Sequence, residues 1–245
     1  MRYVSKTDVG KKRTNNEDSI FAKIYNPDVA LYIVADGLGG YESGEVASYL
    51  LVEKISKYVE DNLEKVVNYS DQMIRNVIHV ALTLANNDIY RLEKTDDKYK
   101  GMGTTIVLLL KVKSKLYYTS IGDSRMYYIP KDKNSIEQIT VDDTYVNELI
   151  KTNVINEDEA IDHPQKHVLT KAVGIIRNID FEVKLLNRKD GFVILCSDGI
   201  TNMIKNEELL NTVKNTNFED LADTFINLAN KNGGVDNISA IIVEL

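Results

Sequence analysis

Val29-Ala30-Leu31-Tyr32-Ile33-Val34-Ala35 is an uninterrupted apolar run that meets Asp36-Gly37 at its end. A short run of this kind suits a buried strand. Upstream, residues 3–9 and 19–24 read as two more strands. Downstream the apolar period becomes helical. Ala47, Leu50, Leu51, Ile55, Tyr58 and Val59 share one face, with Ser43 as the expected N-cap. Ile74, Val77, Ile78, Ala81, Leu82, Ala85, Ile89 and Leu92 predict a second long helix. Strands return at 104–112, 116–120 and 126–129, with a short piece at 136–140. Polar, helix-capable sequence fills 142–161, and a strand near 182–186 precedes the apolar strand 192–196. A helix over 218–231 aligns Phe218, Leu221, Ala222, Phe225 and Ala229, and 238–243 is the last strand. Strands and a helical pair are segregated along the chain rather than alternating, which favours an α+β sandwich over a doubly wound sheet.

Within the 245 residues no low-complexity linker, fixed-period repeat or Pro/Gly/Ser-rich hinge occurs, so one domain spanning 1–245 is expected. Hydrophobic residues at 43% and charged residues at 27% are ordinary for a globular protein. No apolar run reaches the roughly 18–20 residues that span a bilayer. Met1-Arg2-Tyr3-Val4-Ser5-Lys6 lacks the apolar stretch of a signal peptide, and the chain stops soon after its last strand. A cytoplasmic protein without membrane contact is the expectation. Cys196 is the single cysteine, which excludes an internal disulfide and a thiolate zinc site. The net charge of −7 argues against nucleic acid as a partner. It suits a phosphate-handling enzyme only where bound cations reverse the local field.

Acidic residues stand at the rims of the predicted core strands. Asp36-Gly37 closes one, Asp198-Gly199 follows 192–196, and Asp236-Asn237 opens 238–243. Glu17-Asp18 opens 19–24, and Asp123 lies in the turn Gly122-Asp123-Ser124-Arg125. Taken singly, each Asp-Gly reads as a turn. Taken together, converging carboxylates repel one another and call for cations. Oxygen ligands suit Mg²⁺, Mn²⁺ or Ca²⁺ rather than Zn²⁺. Gly37 and Gly199 let the backbone approach whatever the aspartates hold.

Several motifs now line up. Arg13-Thr14-Asn15-Asn16-Glu17-Asp18, Asp36-Gly37-Leu38-Gly39-Gly40, Gly101-Met102-Gly103-Thr104-Thr105 and Gly122-Asp123-Ser124-Arg125 come in order. His163-Pro164 with Val168-Leu169-Thr170-Lys171-Ala172-Val173-Gly174, then Ser197-Asp198-Gly199 and Asp236-Asn237, complete the set. In this the chain resembles the metal-dependent protein phosphatases of type 2C, the PPM family, in their compact bacterial form. The resemblance implies a four-layer α-β-β-α sandwich with two central antiparallel sheets and a short flap at about 142–166. It implies two Mn²⁺ or Mg²⁺ ions at one end of the sandwich. Asp36 would bridge them and the Gly37 carbonyl would join one. Asp198 and Asp236 would hold one ion and Glu17 the other, partly through water. Asp18 would orient a metal-bound water, Arg13 would bind the substrate phosphate, and Asp123 would match a third, weaker metal position of bacterial members. The implied reaction is attack of a metal-bridging hydroxide on phosphoserine or phosphothreonine. The implied partners are phosphorylated proteins and a bacterial serine/threonine kinase with its targets, met as a monomer.

Two positions depart from the family. Leu38 stands where His or Met is common, and a leucine cannot protonate the leaving alkoxide, so water or another residue must. Asp143 stands where the family often has His, at the start of the flap. Two other functions compete. A regulatory pseudophosphatase would bind phosphoproteins without turnover, but its signature is a missing metal ligand, and Asp36, Asp198 and Asp236 are all present. A metabolite phosphatase would share the same site. Other phosphate-handling motifs are absent. No Gly-Lys-Ser/Thr P-loop occurs, Glu42 breaks a dinucleotide fingerprint after Gly37–Gly40, and no arginine follows Cys196 between Ser197 and Met203. His163 and His167 read as ordinary polar residues, His79 as structural, and Cys196 as core.

Overall fold

The run at Val29 is apolar throughout because its two faces enter two different cores. Val29, Leu31, Ile33 and Ala35 pack under helices, while Ala30, Tyr32 and Val34 point the other way, into a layer between two sheets. The same alternation divides 106–112, 192–196 and 238–243. The structure is a computed structural model and describes residues 1–40 and 43–245. Tyr41 and Glu42, the latter the residue that breaks the dinucleotide fingerprint, lie outside the described residues.

In chain order the elements are β1 (Arg2–Asp8), β2 (Asp18–Asn26), β3 (Val29–Leu38), α1 (Ser43–Asp61), α2 (Leu63–Val66) and α3 (Asp71–Glu93). β4 (Gly103–Thr104), β5 (Ile106–Val112), β6 (Lys115–Ile121), β7 (Arg125–Ile129) and β8 (Glu137–Gln138) follow. Then come α4 (Tyr145–Lys151), α5 (Glu157–Ile161), β9 (Lys184–Leu185), β10 (Phe192–Cys196) and α6 (Asp198–Thr201). α7 (Asn206–Asn215), α8 (Leu221–Lys231) and β11 (Ile238–Glu244) close the chain. One sheet runs β1-β11-β10-β7-β8 and the other β2-β3-β5-β6-β9, with β4 beside β3. All pairings are antiparallel.

Three apolar clusters fill the spaces between four layers. α1 and α3 cover the β3 sheet, α7 and α8 cover the β10 sheet, and the sheets face each other across Tyr32, Met126, Leu195 and Ile241. The expected α-β-β-α sandwich is what forms. No helix among the described residues is long and apolar enough to cross a membrane.

Several boundaries differ from the sequence reading, each for a local reason. β3 continues past Ala35, so Asp36-Gly37 is strand rather than turn. Asp36 lies opposite Asp18, and Gly37 and Leu38 pair with Thr104 and Gly103. The expected strand 104–112 is split at Thr105, whose N–H donates to Asp36 O at 2.8 Å. Asp198 opens the short helix α6 instead of a turn. The pieces at 136–140 and 182–186 shrink to two-residue pairings. A 3₁₀ turn at Phe218–Asp220 precedes α8. Ser43 is the first helical residue rather than the cap, and its hydroxyl donates to Gly40 O at 2.5 Å. α7 was not expected, because it buries only Leu209 and Val213. Cys196 is buried in β10, and His79 stacks on Phe181 with centroids 4.8 Å apart.

Candidate active site

The face of β3 that is apolar between the sheets turns acidic at its end. Asp36 follows Val34 on that face, and Asp18 stands directly opposite in register. From the facing sheet come Ser197, just past β10, and Ser239, within β11. Ser197 Oγ donates to Asp18 Oδ2 at 2.8 Å and accepts from Ser239 N at 3.0 Å, so one hydroxyl joins the two sheets. Ser239 Oγ in turn donates to Thr7 Oγ1 at 2.8 Å.

Seven of the sequence-predicted residues line one cleft of about 240 Å³: Arg13, Glu17, Asp36, Gly37, Asp123, Asp198 and Asp236. Asp18 is buried beside it. Arg13 Nη2 donates to Asp236 Oδ2 at 2.9 Å. Asn202 Nδ2, one helical turn after Asp198, donates to Asp198 Oδ2 at 2.9 Å. Leu38 also lines the cleft.

Gly37 is required by close approach. A Cβ there would lie 2.1 Å from Gly44 O and 2.6 Å from Glu17 O. Its N–H donates to Glu17 O at 3.0 Å, and Ser48 Oγ donates to the same carbonyl at 2.6 Å. These contacts seat the start of α1 against the strand end and hold Glu17 beside Asp36.

The electrostatics follow from burial first and crowding second. Burial pushes Asp18 up to about 7; the Ser239 and Ser197 hydroxyls oppose this, and Asp198 and Asp236 add to it. Asp36 is raised well above the usual carboxylate range by burial, then by Asp18, Asp198, Asp123 and Asp236. Burial and Asp198 hold Asp123 at about 7. Asp198 is raised by burial and by Asp236. Glu17 is raised by burial, with Arg13 pulling the other way.

Asp18 Oδ1 and Asp198 Oδ1 are buried without a hydrogen-bond partner among the described residues. Buried orphan oxygens are costly. Among the described residues no three His, Cys, Asp or Glu side chains already close around one point; Arg13 takes one oxygen of Asp236 instead. An all-oxygen donor set of repelling carboxylates, two with an oxygen to spare, fits hard divalent cations whose remaining ligands are water.

The segment 142–166 is fastened at its root. Arg125 grips Asp142 with three bonds of 2.7–3.0 Å. Gly122 N donates to Asp143 Oδ2 at 3.0 Å, and Asp143 N returns a bond to Gly122 O at 2.9 Å. Asp143, at the departure from the family pattern, therefore ties this root to the turn carrying Asp123. Between the segment and the sheets runs a groove of about 1230 Å³ that shares Asp123, His167 and Asp198 with the cleft.

Sequence reasoning missed some participants. His167, which reads as an ordinary polar residue, lines the cleft; His163 does not, and its Nδ1 accepts from Gln165 N at 3.1 Å. Asn202 was findable from its spacing of four from Asp198. Gly44 and Ser48 carried no signal, since they meet the site only through the fold, and Thr105, though part of the Gly101–Thr105 motif, carried no indication of its contact with Asp36. Thr105 Oγ1 accepts from Asp36 N at 3.0 Å and shares a 2.7 Å hydrogen bond with Ser124.

An α-β-β-α sandwich whose inter-sheet face ends in a carboxylate cleft places this chain among the metal-dependent phosphatases. A profile of the protein phosphatase 2C family matches residues 9–242. The chain belongs to that family. The protein phosphatase PhpP of Streptococcus pneumoniae is 35% identical over 242 residues, covering 98% of this chain and 95% of that one. The crystal structure of the Mycobacterium tuberculosis serine/threonine phosphatase PstP/Ppp superposes with a TM-score of 0.88 at 30% identity, covering 100% of this chain and 98% of the other. The catalytic domain of PstP in complex with two manganese ions gives a TM-score of 0.83 at 29% identity, covering 98% and 96%.

Proposed function

We propose that this chain is a metal-dependent protein serine/threonine phosphatase that hydrolyses phosphoserine and phosphothreonine. The observation that carries the reading is the meeting of Glu17, Asp36, Asp198 and Asp236 with Arg13 on one cleft, from segments up to 223 residues apart. Asp36 is assigned as the ligand common to two ions, with the Gly37 carbonyl beside it. Asp198 and Asp236 are assigned to one ion, Glu17 to the other, and Asp123 to a third, weaker position. Two divalent cations held there, Mn²⁺ or Mg²⁺, would acidify a water and neutralise charge on the phosphoryl oxygens.

The chain's own groups do the rest. Asp18, buried and braced by Ser197, would orient that water. Arg13 offers a planar pair of donors to two phosphoryl oxygens, exchanging its bond to Asp236 for bonds to substrate. Leu38 gives no proton, so the leaving oxygen takes one from solvent or from a neighbour such as His167. The groove beside the cleft has room for polypeptide flanking the phosphorylated residue, which supports a protein substrate over a small metabolite. The companion assignments are a cytoplasmic monomer that opposes a bacterial serine/threonine kinase.

Purified protein with a phosphothreonine peptide and with p-nitrophenyl phosphate is expected to release phosphate when Mn²⁺ is added. Release no faster than in a metal-free control would defeat the proposal. Faster turnover of sugar phosphates than of phosphopeptides would move it to metabolites.

The raised carboxylates make a second prediction. Asp18 and Asp123 titrate at about 7 in the native protein, against about 3.9 in the unfolded chain. Between those values the native state binds more protons than the unfolded one, so metal-free stability falls as pH rises from about 4 to 7. Thermal melts of chelator-treated protein should lose on the order of 10 °C or more across that range. Saturating Mn²⁺ should raise the melting temperature more at pH 8 than at pH 5. A metal-free melting temperature that climbs from pH 5 to 7 would contradict the crowding described above.

A further inference from the structure

We propose that Asn237 is a positioning residue that sets the spacing between the Arg13 loop and Glu17 across the cleft. The proposal rests on the phosphatase reading of Arg13 and Glu17. Asn237 is buried, 4% exposed, and its carboxamide is fully used. Nδ2 donates to Val9 O at 3.0 Å and to Asn15 O at 2.8 Å, while Oδ1 accepts from Glu17 N at 2.8 Å. Its own N–H donates to Asp236 Oδ1 at 2.8 Å. One side chain thus touches the end of β1, the loop carrying Arg13, the residue Glu17, and, through its backbone, the carboxylate that pairs with Arg13.

The loop has few other anchors. Lys11 N and Lys12 N donate to Gly234 O at 2.7 and 3.2 Å, but no backbone–backbone hydrogen bond among the described residues holds 13–16. Asn15 Nδ2 reaches Glu45 Oε2 and Asn16 Nδ2 reaches Thr7 Oγ1, both through exposed or part-exposed side chains. Among the described residues Asn237 alone reaches a main-chain carbonyl between Arg13 and Glu17 from the interior. No other side chain of this length combines two N–H donors with a carbonyl acceptor. Aspartate would leave two carbonyls unpaired and add charge to a crowded carboxylate cluster, and leucine would orphan all three groups.

The test is a double-mutant cycle on KM for a phosphothreonine peptide with R13A, N237A and R13A/N237A, together with calorimetric Mn²⁺ affinity. N237A is expected to raise KM roughly tenfold, because the guanidinium is no longer held in place. Mn²⁺ affinity should weaken roughly tenfold, because Glu17 loses its brace. The double variant should stay within about twofold of R13A in KM, since both changes remove one interaction. Effects that multiply in the cycle, or Mn²⁺ affinity within about twofold of wild type, overturn the proposal. If R13A itself leaves KM unchanged, the role given to Arg13 fails, and the metal arm still decides on Asn237. Should N237A not fold, N237D keeps the shape and the acceptor for Glu17 N but loses both bonds to the loop and β1, and carries the KM arm of the cycle alone. If both variants are unfolded at 25 °C, the side chain is a requirement of folding rather than of spacing, and the proposal is wrong.

Discussion

Asp36→Asn is expected to abolish turnover while making the metal-free protein more stable. The substitution is nearly isosteric, so the paths of β3 and of its partners Asp18 and Gly103 need not change. What it removes is a carboxylate raised by burial and by four other acids. If Asp36 is the ligand common to both ions, its loss costs on the order of 10³-fold in kcat/KM, about 4 kcal/mol of transition-state stabilisation. The same change relieves like-charge repulsion, so the chelator-treated variant should melt above wild type at pH 8. The gain expected from Mn²⁺, about 2.7 kcal/mol at a hundredfold excess over Kd for wild type, should shrink. Steady-state kinetics on a phosphothreonine peptide and paired melts check all of this. Activity within tenfold of wild type would remove Asp36 from the centre of the site. A pseudophosphatase would instead keep its phosphoprotein binding in the variant, with no turnover to lose.

Gly199→Ala is expected to destabilise the fold and to weaken the cleft together. A Cβ at Gly199 would stand 1.9 Å from Asn237 O and 2.9 Å from Asn237 C. Both are backbone atoms, so the clash cannot be relieved by turning a side chain. Either α6 or the start of β11 must move. Forced overpacking of this sort costs about 3 kcal/mol or somewhat more. For a chain of this length that is a fall of roughly 6–12 °C in melting temperature. Asp198 immediately precedes the glycine and Asp236 immediately precedes Asn237, so the displacement also spreads the two carboxylates assigned to one ion. A displacement of about 1 Å can cost on the order of 10²-fold in catalysis. Melts and Mn²⁺-activation curves should therefore both shift. A melting temperature within 1 °C of wild type would mean that the two segments are not packed as described here.

Most of the layer order was legible in the sequence because core strands and helices differ in period. Val29–Ala35 has no polar interruption since both its faces are covered, whereas α1 and α3 show one apolar stripe each. The places that misled are those where local chemistry and tertiary contact disagree. Asp36-Gly37 has the composition of a turn, yet pairing with β2 and β4 keeps it extended. α7 was hidden because its partner surface is small. The acidic cluster was legible as a set, since strand ends that carry carboxylates meet at one end of a sandwich. The bracing was not. Asn237, Ser197, Thr105 and Gly44 act across separations that no short spacing reveals, and His167 shares its local sequence character with His163, which faces elsewhere.

The layer between the sheets also acts as a spacer for the chemistry at its rim. Asp18 and Asp36 ride on one sheet, whereas Asp198 and Asp236 adjoin strands of the other. The gauge between the two pairs is therefore set by the thickness of the apolar slab of Tyr32, Met126, Leu195 and Ile241, nominally about 10 Å for stacked sheets. Swelling or thinning that slab would retune the grip on cations from a distance, without touching a single ligand.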